Sequence, residues 1–446
     1  MNFKKNSIVY GTLLLSFSGL VCRGIGFLYH LFIARTFGEE AMGVFQLISP
    51  ILILAFSLTC AGFQTAISKF TASCLGQNKN QEANLYLLCG CFLGIIISLS
   101  YSCIIFNYAE TIAVSLLKER KCAILLKICA ISFPFSAFHS CLNGYFYAIK
   151  NTKIPSFTQI IEQLVRVGCV LIIYNYFLSK NKIPSIAITC IGMVLGELIS
   201  CIISFISYLI TYHNLSNSRN LPSSHSSITI ASKTKICKNI LTFSFPLIIN
   251  RVLVNILQSY ETISLPAALK NYGYSSKTAL SIYGVLSGMA LNLILFPSTF
   301  TNSFSVLLLP TISEAHSKDH VSDLKTTIRK TIFFILILGF SCTFCFFSFG
   351  TILGEFLFQS TLAGRFIRIL SFLCPFLYLR TTLFSILNGL QKTKITLWIN
   401  LFSICLRLIT ILFFVPNVGI YGYLYGLLLS EIISSIFCIL FLKNFL

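Results

Sequence analysis

Apolar runs long enough to cross a bilayer follow one another along the chain, separated by short polar connections. A helix rises about 1.5 Å per residue, so about 20 apolar residues cross the hydrocarbon core. On that measure residues 9–34, 43–67, 84–107, 123–149, 156–179, 184–211, 240–265, 279–309, 326–349, 362–390, 394–415 and 419–443 are predicted to span. One long hydrophilic stretch, 212–238, is Ser/Asn-rich, basic and without apolar periodicity. It reads as a flexible cytoplasmic linker. The pattern predicts an all-α polytopic membrane protein of about twelve transmembrane helices, with a six-helix lobe at 1–211, the linker at 212–238 and a second six-helix lobe at 239–446.

The halves repeat each other. Pro134-Phe135 recurs at Pro375-Phe376, Thr152-Lys153-Ile154 at Thr393-Lys394-Ile395, Arg166 at Arg407 and Gly43 at Gly284, all 241 residues apart. Nearer the ends the spacing drifts: Gly192 and Glu197 match Gly426 and Glu431 at 234, and Arg23 matches Arg251 at 228. Six helices plus a linker return the second copy in the orientation of the first. Parallel repeats of this kind are a transporter architecture, with substrate held near the midplane, so two pseudo-symmetric lobes around a central cavity are expected.

The few polar positions inside the spans narrow the chemistry. Arg23 interrupts the first apolar run. An arginine at the bilayer centre costs roughly 2.5–3.5 kcal/mol on insertion scales. At about 100° per residue, Thr12, Ser16, Gly19, Arg23 and His30 share one face, opposite Leu, Phe, Ile and Val. Such a stripe faces other helices or a water-filled cavity. Arg23 is then either a structural arginine that snorkels or bonds carbonyls, or an anion-binding one. Its repeat mate Arg251 shares a face with Asn255, Gln258 and Thr262, and the symmetric pair points to a cationic cavity for an anionic substrate. Glu261 lies off that face by about 80° and suits an arginine partner or a proton or cation site. Glu162 and Arg166 at i, i+4 read as a self-neutralising pair or, alternatively, as lining of the cavity. Ser403 stands at the position matching Glu162, which leaves Arg407 to bond carbonyls or line the cavity. Glu197 and Glu431 suggest helix packing or capping, while His139, Lys127, Arg368 and Arg380 are open to snorkelling.

Composition agrees: the chain is 56% hydrophobic and 10% charged. Its net charge of +20 has no soluble domain to carry it, so nucleic acid is not the expected partner. With the N-terminus inside, inner segments hold seventeen Lys and Arg and outer loops nine, the KERK cluster at 118–121 falling outside. That bias predicts cytoplasmic termini and contact with anionic lipids. Lys4 and Lys5 precede an apolar run as in a signal peptide, but the Arg23 interruption and the lack of a small-residue cleavage site predict a retained helix. The 18 cysteines lie mostly inside apolar segments and act as small hydrophobes. His316 and His320 sit among solvated charges, so neither they nor the close cysteine pairs are expected to hold a metal. There is no GxxxxGK[ST] motif, and Asp319 and Asp323 are the only aspartates. A P-loop, a DxD glycosyltransferase site and a Ser-His-Asp triad are thereby excluded. No cofactor is expected, and the chain reads as a carrier or a membrane scaffold, not an enzyme.

Several stretches carry a resemblance. CRGIGFLYHLFIARTFGEEAMGVFQLISP, CAGFQTAISKF, YGVLSGMALNLILFPSTFTNSFSVLLLPTISEAHSKD and PFLYLRTTLFSILNGLQKTKI, in this order, resemble the stage V sporulation protein B family. That family is the polysaccharide-transporter branch of the superfamily of multidrug exporters and lipid II flippases. The resemblance implies two lobes around a cationic cavity open alternately to each side. It also implies an undecaprenyl-pyrophosphate-linked glycan as substrate, used for spore cortex, with cell-wall synthases as possible partners. Arg23 matches the family's first-helix arginine. Lipid II flippases carry a further arginine a turn later, where this chain has Tyr29, and the two helices that follow the twelfth in many relatives are not seen here, so a tail groove built on them is not expected. Two rival readings stay open: a cation-coupled drug antiporter on the same fold, and a non-transporting scaffold of a cell-wall synthesis complex.

Overall fold

The computed structural model describes residues 2–77, 79–182, 184–218, 230–302, 321–390 and 392–443. Every regular element among them is helical. In chain order the principal helices are α1 Asn2–Phe56, α2 Gly62–Gly76, α3 Asn80–Asn107, α4 Cys122–Ala130, α5 Ser132–Ala148, α6 Lys153–Ser179 and α7 Ala187–Ser218. Then come α8 Ile230–Asn271, α9 Ser276–Gly284, α10 Leu291–Leu295, α11 Val321–Phe358, α12 Thr361–Leu370, α13 Cys374–Gly389, α14 Thr393–Ile409 and α15 Ile420–Leu442. Ten described stretches are long and apolar enough to cross a membrane, and eleven when α4 and α5, bent by 43° at Ile131, count as one. One of the ten, Leu13–Gly76, is 64 residues long and covers the first two predicted spans. It is broken at Gly38, whose φ of 78° and ψ of −179° only glycine adopts readily.

The outward faces are apolar. Phe344, Ile172 and Trp398 are each 70% exposed or more, as suits side chains solvated by lipid instead of water. The repeat-mate prolines mark equivalent breaks: Pro134 follows the bend before α5, and Pro375 opens α13 after a 3₁₀ turn at Ser371–Leu373. Pro246 lies inside continuous helix. Helix also extends into the expected linker from both sides, to Ser218 and from Ile230, because each span propagates past its apolar part; residues 219–229 lie outside the described residues. So do His316, His320 and Asp319. All 18 cysteines are free thiols.

By its contacts the chain divides into two compact units. One comprises Met1–Cys22 and Ile48–Ile256, the other Arg23–Leu47 and Leu257–Leu446. In the first, the start of α8 packs on α2: Ser244 Oγ donates to the Gly62 carbonyl at 3.3 Å, and Lys69 Nζ lies 4.0 Å above the Phe243 ring. In the second, residues 23–47 dock on α9 and on the α11–α12 corner. Glu39 accepts hydrogen bonds from Ser281 and Ser360, and Arg35 donates to the free carbonyls of Phe356 and Leu357 at the α11 C-terminus. The repeat-mate glycines Gly43 and Gly284 face each other there. A Cβ on Gly43 would lie 2.1 Å from the Leu280 carbonyl oxygen, so only glycine permits this approach.

Candidate functional site

The residues expected to bind substrate fall in both units. Arg23 and Arg251 are exposed side chains, and neither forms a hydrogen bond or ion pair among the described residues. Asn255, one turn beyond Arg251, donates to Ser57 Oγ in the π-helical turn Ser57–Ala61. Gln258 and Thr262 are half-buried and belong, with Glu261, to the second unit, whereas Arg251 and Asn255 belong to the first. The polar stripe of α8 therefore divides at Ile256.

Glu261 is buried, at 8% exposure, and its carboxylate is occupied. Arg407 grips it with both arms of the guanidinium, Nε to Oε1 at 2.6 Å and Nη2 to Oε2 at 3.1 Å, while Tyr423 donates to Oε1 at 2.9 Å. Of the two roles its placement allows, the structure shows the arginine partner. Arg407 does not need carbonyls: its Nη1 donates to Ser403 at 3.1 Å and lies 3.8 Å from Glu431. Glu431 is a charge partner, not a cap. Arg380 Nε lies 2.6 Å from its Oε2, off the line of a well-formed hydrogen bond, so the contact is an ion pair. Two arginines thus meet two glutamates in the second unit, and the group is neutral. Gly426 allows it to assemble, since a Cβ there would meet Thr410 Oγ1 at 2.2 Å, in the turn after Arg407.

The first unit holds the matching group with different charges. Glu162 accepts from Arg166 across one turn of α6, as its spacing predicts. Gly192 and Gly196 bring α7 against that turn: Cβ atoms there would lie 2.8 Å from the Arg166 carbonyl and 3.0 Å from that of Glu162. Glu197 is thereby set beside both. His139, 7% exposed, points Nδ1 at Glu197 Oε2 across 3.8 Å and contacts Asn143 Nδ2 through Nε2 at 3.0 Å. His139 does not snorkel, and Glu197 is again no cap. His139, Asn143, Glu162 and Glu197 line a cavity of about 210 Å³ with Gln64, Ser140 and Gln159. Donor atoms of His139, Glu162 and Glu197 fall within 4.8 Å of one another, a spacing a cation can bridge. Arg166 already supplies one fixed positive charge here, so a divalent ion would sit beside a guanidinium.

Sequence reasoning passed over one relation. His139 and Arg380 are also 241 residues apart, each five residues after its Pro-Phe pair, and each faces the matching glutamate. The shared spacing was legible. The pairing was not, because the glutamates repeat at 234 and only packing brings the two sets together.

Comparison with known proteins accords with this architecture. Residues 8–316 match the model of the family described as polysaccharide biosynthesis protein. The chain belongs to that family. Residues 271–413 also match the MatE family. Among relatives, stage V sporulation protein B of Bacillus subtilis (strain 168) is 26% identical over 94% of this chain and 80% of its own length. A multidrug resistance MATE family transporter of the MOP superfamily, inward-facing, superposes with a TM-score of 0.73 at 12% identity, covering 95% of this chain and 94% of that one. The lipid II flippase MurJ, in an inward closed conformation, superposes with a TM-score of 0.72 at 17% identity, over 96% and 87%. The chain is thus a multi-pass membrane protein with the helical fold that this family shares with both transporters.

Proposed function

We propose that the chain is a flippase that moves an anionic lipid-linked glycan across the cytoplasmic membrane by alternating access. The substrate would be a peptidoglycan or other polysaccharide precursor on undecaprenyl pyrophosphate, and in a spore-forming cell it would serve the cortex. One observation carries the reading. Arg166, Arg380 and Arg407 all have carboxylate partners, whereas the repeat mates Arg23 and Arg251 have none among the described residues; Arg365 and Arg368, near the start of the tenth span, also have none. A guanidinium kept in a membrane without a counter-ion suits a ligand that brings its own negative charge, and it can grip pyrophosphate in bidentate fashion. Gln258 and Thr262 offer hydrogen bonds for sugar hydroxyls, with Asn255 once released from Ser57.

In vesicles holding a labelled lipid-linked glycan, Arg23→Ala with Arg251→Ala is expected to abolish translocation while leaving membrane insertion intact. Flipping at the wild-type rate by that double variant would remove the assignment; absence of flipping by the wild type itself would favour a scaffold. The lipid-linked intermediate that accumulates on the cytoplasmic side after deletion names the glycan. Anionic lipids have a separate place to bind: Arg365 and Arg368 are exposed beside Phe347, Phe372 and Tyr421 in a groove of about 260 Å³. A second reading, a cation-coupled drug antiporter, draws on the MatE match and the carboxylates of the first unit. Efflux of a cationic dye that Glu162→Gln stops would support it.

A further inference from the structure

The two repeats place corresponding side chains around the mates Glu197 and Glu431, each with a second glutamate from a non-equivalent position, yet their charges do not balance alike. In the second unit Arg380 and Arg407 offset Glu261 and Glu431. In the first, Arg166 offsets one of Glu162 and Glu197, and the position of Arg380 is taken by His139. An arginine is charged at every physiological pH, whereas a histidine gains its charge only with a proton. The first unit is therefore one positive charge short of its own repeat whenever His139 is neutral.

Two buried acceptors show where that charge is missing. Glu197 Oε2 and Asn143 Oδ1 line the same cavity, and neither has a hydrogen-bond partner. A buried acceptor without a donor is destabilising, so two beside one ring mark where a further N–H would be used. His139 sits between them, nine-tenths buried.

We propose that His139, Glu197 and Asn143 form a proton-binding site, in which protonation of His139 supplies the positive charge that Arg380 provides permanently in the other repeat. With Asn143 Nδ2 donating to Nε2, the neutral ring carries its hydrogen on Nδ1, facing Glu197. A proton taken up from water goes to Nε2. A half-turn of the Asn143 amide then presents Oδ1 to the new N–H, and the imidazolium closes on Glu197 Oε2. Both orphan acceptors are satisfied in one step. The other charged groups facing the ring are Glu162 and Arg166 from α6, which already neutralise each other; Gln64 of α2 adds no charge. The site stands without the choice of transported substrate.

The test uses the full chain in lipid nanodiscs with ¹⁵N-labelled histidine, and without substrate. The His139 ring signal is identified by its loss in His139→Gln. It is expected to show the singly protonated pattern at the alkaline end of a pH series and the doubly protonated pattern at the acidic end. Glu197→Gln is expected to move that midpoint down by about one pH unit, the effect of losing one nearby opposite charge. His139→Arg, which copies the other repeat into a cavity large enough for it, is expected to fold and to lose the pH dependence of thermal stability over that range. Three results would overturn the proposal: a ring that stays neutral throughout, a midpoint unmoved by Glu197→Gln, or a midpoint displaced by sodium or magnesium at constant ionic strength, which would assign the cavity to a metal. Should His139→Arg not fold, the Glu197→Gln midpoint still decides.

Discussion

Arg407 shows what a single buried charge does in this protein. It contacts Glu261, Ser403 and Glu431 at once, and its removal leaves the buried Glu261 carboxylate without its counter-ion, while Glu431 keeps Arg380. Breaking a buried pair from one side costs about 3–5 kcal/mol. Arg407→Ala is expected to destabilise the chain by that order, read as a large fall in the thermal midpoint of the purified protein. Glu261→Gln, which keeps the shape and the Tyr423 contact, is expected to cost clearly less. By contrast, Arg23→Ala and Arg251→Ala break no contact among the described residues, so each is expected to leave stability nearly unchanged while transport falls. The identity of every one of these residues was legible as a polar interruption of an apolar run. Their partners were not. Glu162–Arg166 could be read from i, i+4 spacing, but Glu261 and Arg407 lie 146 residues apart and only packing joins them.

At the scale of elements, small residues set where helices break and how closely they approach. Gly38 holds the Leu13–Gly76 stretch in two pieces, with nothing within 4 Å of where a Cβ would stand. Gly38→Ala is therefore expected to cost about 1–3 kcal/mol through backbone strain alone, with packing preserved. Gly284→Val differs in kind, because its Cβ would lie 2.2 Å from the Glu39 carbonyl oxygen. That variant is expected to push residues 39–43 off α9, detectable as loss of a cysteine cross-link engineered between the two segments that forms in the parent. The prolines of the fourth and tenth spans stand at helix breaks, and Pro246 does not, since neighbouring groups in a membrane protein absorb a lost backbone donor.

For the whole molecule, the positive residues of the inner segments argue for cytoplasmic termini. A reporter active only in the cytoplasm, fused after Leu446, is expected to be active; an enzyme that works only outside should be silent at the same point. The two compact units do not follow the chain halves: residues 23–47 pack with the second unit and 239–256 with the first. Nothing in hydropathy marks that exchange, because each segment is part of an apolar run with scattered polar interruptions, as the other spans are.

Number, length and order of the spans, the repeat and the polar residues inside them are properties of the sequence. Each follows from what a lone helix must satisfy in hydrocarbon: its own hydrogen bonds, apolar sides and few charges. The tertiary structure decided which of the buried charges are spent on one another. Electrostatic partnership depends on distance through space: His139 meets Glu197, and Arg380 meets Glu431, between helices that do not adjoin in the chain. Only after packing do Arg166, Arg380 and Arg407 prove occupied, the mates Arg23 and Arg251 prove free among the described residues, and one histidine stand where its repeat has an arginine.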